Sequence, residues 1–426
     1  MATGAEGARR QRRKPQRLAK LSNYALVGRT RLMAQFQQKA TQLAATSDYP
    51  KLSAFLPQNL WPWVWNYIKS VFRGKVKPFP TYPPGTTGVY QLQARAGESK
   101  IKIAMAGDWG TGTQVSDTVA RSIVNENPDY TIHLGDVYYV GDTNEINENC
   151  LDQPVNDYIP VNWPRDCQGS FALNGNHEMY CGGGPYFTLF LKNLGIKNPR
   201  EQQRTSYFCL ETAFWRILAI DTGYNSVGIP ILGAIPWINR LSFVGADCRL
   251  EDALINWVRD IVQPNTNIKP TLLLSHHQYY TAFRDQSYAR PAKQLLEFFP
   301  NQKLIWMWGH EHRLAIYDLY SLDGGIKVYG RCLGHGGMPV DVSTSDNFKL
   351  SKAPLLLYDS ATHKLDDGTE VGRNGFVVLT LDGSALTFDY RDLDSQSLFI
   401  ERFVGAPDGT VQYACEPLPA GGLTRI

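Results

Sequence analysis

The sequence predicts an α/β fold, because apolar runs of strand length alternate with helical segments along the chain. Each run ends in polar residues, and residues 115–127, between the first two runs, have a helical pattern that completes a βαβ unit. A clearly amphipathic helix is predicted over 248–262 (CRLEDALINWVRDIV). The runs are IKIAMAGD (101–108), DYTIHLGD (129–136), FALNGN (171–176), WRILAID (215–221), TLLLSHH (271–277) and KLIWMWGHEH (303–312).

Three further strands are predicted closer to the C-terminus. GIKVYGRC (325–332) is the first, and GFVVLTLDG (375–383) and ALTFDYRD (385–392) follow it. The last two are separated by Asp382-Gly383-Ser384, which is typical of a hairpin turn. The chain therefore continues in strands after the alternating part ends.

Charge is distributed unevenly along the 426 residues. Residues 1–78 hold 15 Lys/Arg and 2 Asp/Glu, a net charge of +13, whereas the remainder carries −10. The Pro-rich stretch KPFPTYPPG (77–85) cannot continue a helix or a central strand and indicates a boundary. We predict three parts: a basic, partly disordered and helical N-terminal extension with a Pro-rich linker (1–98), a main domain (99–400) and a C-terminal tail (401–426).

The cysteines favour a reducing compartment. They are odd in number, widely scattered and without a CxxC pair, which is not a disulfide framework, although a bridge between Cys150 and Cys167 stays open. No secretory signal is visible, and the apolar segment 52–72 is too interrupted to span a bilayer. We therefore predict a cytoplasmic protein.

Residues 60–72 (LWPWVWNYIKSVF) admit two interpretations. The aromatic residues and their basic neighbourhood are compatible with a peripheral contact at an anionic membrane surface, made together with the basic N-terminus. Packing of the extension onto the main domain is the favoured interpretation, because Pro62 interrupts a continuous amphipathic helix. The basic run 9–20 is typical of a solvated tail, and no specific nucleic-acid partner is predicted.

Side chains that can hold metals follow the predicted strands. Ligands in open α/β sheets bind beyond the carboxyl ends of strands, so these side chains are expected to converge. Carboxylate, amide and imidazole ligands suit Zn, Fe and Mn, and two neighbouring metals need a shared ligand, for which Asp136 is the natural candidate. The candidates from strand position are Asp108, Asp136, Asn176, His276, His310 and His312.

Five motifs carry these residues in a fixed order: GDWG (107–110), GDVYY (135–139), GNHE (175–178), SHH (275–277) and GHEH (309–312). They resemble the motifs of calcineurin-like metallophosphoesterases and, within these, of the purple acid phosphatases. The general pattern begins with Asp-x-His, but Gly110 stands at the histidine position here. In purple acid phosphatases the same histidine is absent and a tyrosine in GDxxY replaces it, the position that Tyr139 occupies.

The resemblance implies a two-sheet β-sandwich flanked by helices and a site with two metal ions, iron paired with Fe, Zn or Mn. Asp136 would bridge them, and His177 would lie beside the phosphate and serve catalysis with Asn176. His277, which follows the ligand His276, is expected to be a second group near the metals or the substrate. By resemblance, Asp108, Tyr139 and His312 hold the first metal, and Asn176, His276 and His310 hold the second.

The resemblance implies a hydrolase of phosphoric esters. Two cations would neutralise phosphate charge and lower the pKa of a bound water, and the resulting hydroxide would attack phosphorus. We predict phosphate monoesters as substrates, with a phosphodiesterase or pyrophosphohydrolase on the same scaffold as the nearest alternative. A non-catalytic, membrane-associated binding protein is the alternative from another class. Such a protein would have lost ligands, whereas this chain can fill both metal sites.

Overall fold

We describe the fold from a computed structural model of the chain. The described residues are 51–52, 55, 60–70, 74–155, 159–227, 247–283, 285–342, 353–365, 368–415 and 423–425. They form two large sheets and a two-stranded ribbon, with helices packed on the outer faces of the sheets. The predicted α/β fold with two packed sheets flanked by helices is confirmed. The basic run 9–20 lies outside the described residues.

Within the described residues, the first sheet has nine strands. Four adjacent strands, Arg216–Ala219, Thr271–Ser275, Lys303–Trp308 and Lys327–Leu333, run parallel to one another. Across the sheet the order is β1 (Val89–Gln91), β7 (Phe208–Glu211), β8 (Arg216–Ala219), β9 (Thr271–Ser275), β10 (Lys303–Trp308), β12 (Lys327–Leu333), β11 (Leu314–Tyr320), β13 (Leu355–Asp359) and β20 (Leu423–Arg425).

The second sheet also has nine strands within the part of the chain that the structure describes. Its order is β19 (Val411–Cys415), β18 (Ser397–Gly405), β17 (Ala385–Asp392), β16 (Gly375–Asp382), β2 (Ile101–Ala106), β3 (Tyr130–His133), β4 (Gly169–Ala172), β5 (Gly195–Ile196) and β6 (Glu201–Gln202). β2, β3 and β4 are parallel. β16 and β17 form the predicted hairpin, with Asp382 paired to Ala385. The separate ribbon contains β14 (Thr362–Lys364) and β15 (Glu370–Gly372).

Helices connect the strands and cover the sheets. Thr113 caps the second helix by accepting a hydrogen bond from the backbone N–H of Ser116, and its position agrees with the predicted helix over 115–127. The helices are α1 (Leu60–Ser70), α2 (Gln114–Asn125), α3 (Thr143–Cys150), α4 (Asn176–Tyr180), α5 (Asp252–Trp257) and α6 (Ala289–Leu295), and a π-helical segment over Val258–Val262 extends α5. Among the described helices, none is long and apolar enough to cross a bilayer.

The main core lies between the two sheets. Alternate residues of each strand point to opposite faces, so Ile103 and Met105 of β2 face the first sheet, whereas Ala104 and Ala106 face α2. In the same way, Leu273 of β9 packs against the helical layer that contains α5 and α6. The two sheets therefore form a rigid double layer whose strand ends position the loops that follow them.

Strands also lie beyond the predicted domain boundaries. β1 pairs in parallel with β7, and Tyr90 of β1 is buried in the main core. At the other end, β18 pairs with β17 and β19 along the edge of the second sheet. The boundaries predicted at 98 and 400 therefore cut through these sheets.

The six cysteines whose side chains are described, Cys150, Cys167, Cys181, Cys209, Cys248 and Cys332, carry free thiols. The bridge left open between Cys150 and Cys167 is therefore not formed. Burial raises the pKa of the Cys150 thiol well above its usual value.

Candidate metal centre

Three of the candidate ligands have a backbone conformation that is rare outside glycine. Asp108, Asp136 and His310 each follow a glycine at a strand end, and their φ angles are +56°, +73° and +67°. Residues held in the left-handed region cluster at functional sites, where the surrounding structure over-determines them. A Cβ on Gly309 would lie only 2.6 Å from Oδ2 of Asp108, so this glycine is needed for the close approach of the two strand ends.

A tyrosine hydroxyl lies between the two aspartates. The hydroxyl oxygen of Tyr138 is 2.8 Å from Oδ1 of Asp108 and 3.2 Å from Oδ2 of Asp136. It is also 3.1 Å from Nε2 of His312, which lies 3.5 Å from Oδ1 of Asp108. Burial and the two carboxylates raise the pKa of Tyr138 well above its usual value, so without a cation the phenol is a hydrogen-bond donor.

Tyr138 contacts both aspartates in the structure, whereas the sequence interpretation names Tyr139 as the metal ligand. The ring of Tyr139 instead stacks on Phe55, with centroids 4.7 Å apart and an interplanar angle of 18°. Its backbone N–H donates to Oε1 of Glu145 at 2.6 Å, and its carbonyl oxygen lies 2.5 Å from Nδ1 of His177. The Tyr139 ring thus packs on Phe55, and its backbone contacts Glu145 and His177.

His276 is oriented for binding by its second ring nitrogen. Nδ1 donates to the carbonyl oxygen of Leu134 at 2.8 Å, which leaves Nε2 directed at the site. Nε2 lies 3.2 Å from Oδ2 of Asp136 and 3.2 Å from Oδ1 of Asn176. Burial favours the neutral ring, but the Asp136 carboxylate outweighs it and raises the pKa of His276 to about 10. A pKa this high favours the protonated ring at pH 7 in the metal-free site, with Nε2–H facing the carboxylate and the amide oxygen.

Two further histidines lie beside His276. The ring of His310 is 5.3 Å from that of His276 and 4.5 Å from that of His277, measured between centroids. Burial and the neighbouring His276 lower the pKa of His310 to about 4. Burial also holds the pKa of His277 well below its usual value, and its Nδ1 lies 3.2 Å from the hydroxyl of Thr222. His277 therefore lies inside the cluster rather than in the scaffold behind it.

α4 presents Asn176 and His177 at its first turn. The backbone N–H of His177 donates to Oδ1 of Asp136 at 3.1 Å, and Nε2 of its ring lies 3.8 Å from Oδ2 of the same carboxylate. The side chain of Asn176 donates to the hydroxyl of Tyr180 at 3.1 Å. Burial lowers the pKa of His177, so the ring is neutral near pH 7. A short helix thereby ties the amide and the imidazole to the second carboxylate.

Glu178 is a buried group whose role the sequence interpretation missed. Oε2 accepts hydrogen bonds from the backbone N–H groups of Gly175 (2.9 Å) and Asp136 (3.3 Å). Burial and the Asp136 charge raise the pKa of Glu178 to about 8. The sequence carries a signal for this role. Glu178 lies three residues after Gly175, the N-cap residue of α4, and this spacing is typical of a capping box. Glu178 holds the two loops that carry Asp136 and Asn176 in register.

Asp221 lies at another strand end, where its side chain is buried. It accepts hydrogen bonds from Ser206, from Nδ2 of Asn174 and from the backbone N–H of Tyr224. Its contacts are therefore those of a carboxylate that organises loops. His335 is also buried, and its carbonyl oxygen accepts from the backbone N–H of Gly375 at 2.9 Å.

The donor atoms form two overlapping groups that fit metal ions. Ligand atoms of Asp108, Asp136 and His276 lie within 4.8 Å of one another, and so do those of His276, His277 and His310. Carboxylate and imidazole donors of this kind suit Fe, Zn and Mn. The short approaches between buried carboxylates, a phenol and several imidazoles indicate a pre-formed cage, because two buried carboxylates side by side need cations to compensate their charge. His276 belongs to both groups, and its Nε2 lies 3.2 Å from Oδ2 of Asp136.

Residues 101–314 match the family model described as Calcineurin-like phosphoesterase. No curated protein matches the sequence. Solved structures with a similar fold include GAP50, the anchor in the inner membrane complex of Plasmodium, at 13% identity and a TM-score of 0.44, covering 71% of this chain and 88% of that one.

Two further solved structures are also similar in fold. The purple acid phosphatase PPD1 from yellow lupin (Lupinus luteus) seeds is 15% identical with a TM-score of 0.43, covering 76% of this chain and 54% of that one. The present chain thus spans about half the length of the lupin chain. A PhoD structure is 12% identical with a TM-score of 0.42, covering 76% and 73% of the two chains.

Proposed function

The chain belongs to the calcineurin-like phosphoesterase family, and on that premise we propose that it hydrolyses phosphate monoesters at a two-metal centre. The observation that carries the proposal is the convergence of Asp108, Asp136 and His276, whose ligand atoms all lie within 4.8 Å. These three residues come from three different strand ends in two sheets. A convergence of this kind, with buried charges held by backbone groups, supports a binding site rather than a structural cluster.

We propose that Asp108, Asp136, a tyrosine and His312 hold one metal and that Asp136, Asn176, His276 and His310 hold the other. A ferric ion in the tyrosine-bearing site, paired with Fe, Zn or Mn, suits the mixture of phenol, carboxylate and imidazole donors. When bound, the two metals supply positive charge for the phosphate and acidify a coordinated water. The contact between Tyr138 and both aspartates favours Tyr138 as the phenol donor, in place of the Tyr139 of the sequence prediction.

His177 is the proposed proton donor to the leaving oxygen. Its Nδ1 faces the carbonyl oxygen of Tyr139, so Nε2 is the nitrogen that faces the site. The ring is neutral in the substrate-free protein because burial lowers its pKa. A phosphate dianion beside Nε2 favours the protonated ring, which can then donate to the departing ester oxygen.

Asn176 and His277 are proposed to orient the phosphate. The amide of Asn176 is restrained by Tyr180 and His276. His277 is held by Thr222, whose hydroxyl accepts from the backbone N–H of His277 at 3.0 Å. Side chains restrained from two directions lose little further freedom when they bind substrate, which favours precise positioning of the ester.

The test compares three substrates on the metal-loaded protein: an aryl phosphate monoester, an aryl phosphodiester and pyrophosphate. We expect the monoester to have the highest kcat/KM, and the Asp136→Ala variant to lose at least about 100-fold in activity because the shared ligand is gone. A phosphodiester or pyrophosphate preference would replace the monoester proposal by the corresponding activity on the same scaffold. Full activity in Asp136→Ala would overturn the two-metal centre. The pH dependence of monoester hydrolysis tests the acid phosphatase assignment, which requires a pH optimum below neutral.

Exposed apolar residues on α1 support a second proposal, a peripheral contact with an anionic membrane. Trp65 and Ile68, one helical turn apart, are 60% and 48% exposed, and the ammonium of Lys69 lies 5.1 Å from the ring centroid of Trp65. The surrounding residues 1–78 carry a net charge of +13. Aromatic and basic side chains on one helix face suit the interface of a bilayer with anionic headgroups. The cytoplasmic location stays a prediction from the sequence.

Sedimentation with vesicles tests this contact. We expect the protein to bind phosphatidylcholine vesicles that contain phosphatidylserine, to bind pure phosphatidylcholine vesicles weakly, and to dissociate at high salt. The Trp65→Ser/Ile68→Ser double variant should lose most of the binding, whereas Ile261→Ser, at a 45% exposed residue elsewhere, should retain it. Equal binding by the double variant would rule out α1 as the membrane contact. Vesicle binding without phosphoesterase turnover would favour the non-catalytic alternative.

A further inference from the structure

The N-terminal segment reaches the metal centre at Phe55. This side chain is 3% exposed and packs with Tyr138, Tyr139 and Met338 in a small cluster separate from the three larger cores. Its ring stacks face to face on Tyr139 and lies edge-on to Tyr138, with centroids 5.9 Å apart and an interplanar angle of 83°. A residue that precedes both sheets in the sequence thus contacts both tyrosines of the GDVYY motif.

The same segment is anchored four residues earlier, at Lys51. Nζ of Lys51 lies 3.1 Å from Oε1 of Glu148 and 3.3 Å from Oδ1 of Asn149, and both side chains of the Lys51–Glu148 ion pair are largely buried. The amide of Asn149 donates to the carbonyl oxygens of Gly110 (3.1 Å) and Tyr138 (2.9 Å). Lys51 therefore contacts the residue that joins the Asp108 loop to the Tyr138 loop.

Met338 links the cluster to a third loop. Its backbone N–H donates to the carbonyl oxygen of Asp108 at 3.0 Å, and its side chain packs against Phe55 and Tyr138. Asp108 is thus held at two points. Its carbonyl oxygen accepts from the backbone N–H of Met338, and its carboxylate accepts from the hydroxyl of Tyr138. Phe55 packs against the Tyr138 ring. This packing restricts the rotation of the Tyr138 ring, because a closely packed side chain has few rotamers available.

We propose that Lys51 and Phe55 form a clasp that positions Tyr138 for the metal centre, so that the N-terminal segment is a working part of the site. Both are positioning residues, since they act through Tyr138 and Asn149 and not on the substrate. The inference rests on the proposed two-metal function. The clasp stabilises metal binding at the site that contains Asp108, Tyr138 and His312. It has no effect on the site that contains Asn176, His276 and His310.

The test measures metal release from the metal-loaded full chain after addition of an excess of chelator. We expect one metal equivalent to leave Phe55→Ala at least about tenfold faster than wild type, while the second equivalent leaves at the wild-type rate. Lys51→Met should act in the same direction. Phe55→Leu, which keeps an apolar side chain, should restore most of the slow release, and the matched control Phe214→Ala, at an exposed phenylalanine, should behave as wild type.

Three results would overturn the clasp. The first is that both metal equivalents leave Phe55→Ala and Lys51→Met at the wild-type rate. The second is that both equivalents leave equally faster and the Tm falls, and the third is that the wild-type chain takes up no metal. The second result would assign to Phe55 a general packing role. The readout is independent of turnover. A protein that binds two metals but hydrolyses no phosphate ester overturns the proposed function, and the release rates of the variants still decide the clasp.

Discussion

The hydroxyl of Tyr138 donates to Oδ1 of Asp108 across 2.8 Å, in the interior of the protein and 30 residues apart in sequence. The contact joins the loop after β2 to the loop after β3, the two loops that carry the aspartates of the centre. The same contact makes Tyr138 the candidate for the tyrosine that binds a metal.

Replacing either tyrosine of the motif by phenylalanine should distinguish the two assignments. In iron-loaded protein, we expect Tyr138→Phe to lose the violet charge-transfer band of a ferric phenolate and at least about tenfold in activity. Tyr139→Phe should keep both, because the ring stack on Phe55 survives the loss of its hydroxyl. Visible spectra and kcat/KM of the two variants check this. Loss of the band in Tyr139→Phe alone would return the ligand to the residue that the sequence predicted.

Metal binding should release a proton from His276. In the metal-free protein the Asp136 carboxylate raises the pKa of His276 to about 10, so the ring is protonated at pH 7 and must lose that proton to coordinate. His310, whose pKa burial lowers to about 4, is already neutral. Apparent affinity should therefore rise with pH, about tenfold per unit below pH 10.

Calorimetric titration of Zn²⁺ into metal-free protein at pH 7, in two buffers of different ionisation enthalpy, measures the proton release. His276→Gln should release about one proton fewer than wild type, and this difference separates the imidazole from any coordinated water. An unchanged proton count in His276→Gln would show that the ring was neutral before the metal bound.

The buried ion pair between Arg331 and Glu401 should contribute strongly to stability. Arg331 in β12 donates from Nε and Nη2 to the two carboxylate oxygens of Glu401 in β18, at 2.6 and 2.7 Å, so the pair joins the two sheets. Both side chains are 0% exposed. Glu401→Ala leaves a buried guanidinium without its partner, and we expect a loss of about 3–5 kcal/mol in the free energy of unfolding, measured with urea.

A matched control is the exposed pair of Lys100 and Asp382, where Lys100→Met should change stability by less than about 1 kcal/mol. The double variant Arg331→Met/Glu401→Leu should recover much of the loss, because well-packed apolar residues can replace a buried ion pair. A change below about 1 kcal/mol in Glu401→Ala would mean that water, or the carbonyl oxygens of Tyr317 and Gly330 that already accept from Arg331, compensates the guanidinium charge.

Lys75 should make stability depend on pH in the alkaline range. Burial lowers its pKa to about 8, below the value of 10.5 in the unfolded chain. Below pH 8 the ammonium is charged in both states and folding carries the cost of desolvating it. Between pH 8 and 10.5 the folded protein loses this proton and the cost, so stability rises relative to a variant without the amine.

Urea unfolding of wild type and Lys75→Met at pH 7 and pH 10 checks the sign. The free energy of unfolding of wild type relative to the variant should increase by about 1 kcal/mol between the two pH values, less than the full shift implies because the side chain is partly exposed. A decrease over the same interval would mean that the folded protein favours the charged amine, through the ring of Tyr224 3.3 Å away or through Asn225.

Strand ends and the order of motifs were predictable because both depend on local pattern. An apolar run followed by glycine and a polar residue is visible without coordinates, and parallel strands bring such ends to one edge. Strand membership beyond residues 98 and 400 was not predictable in this way. β1 pairs with β7 at residues 208–211, and β20 pairs with β13, so each of these short strands depends on a partner distant in sequence.

The sequence by itself determined which chemical groups are available at the centre: two aspartates, an asparagine, the histidines of three motifs and two adjacent tyrosines. Only the tertiary structure decided which tyrosine faces the aspartates. The two hydroxyls belong to neighbouring residues, and the choice depends on how the loop backbone is held. That backbone is restrained by Glu145, which accepts from the N–H groups of Tyr139 and Val140, and by Phe55, a residue from outside the motif. The Phe55 contact joins residues 84 positions apart in sequence, and it forms only when the N-terminal segment packs against the loop, so local pattern does not encode it.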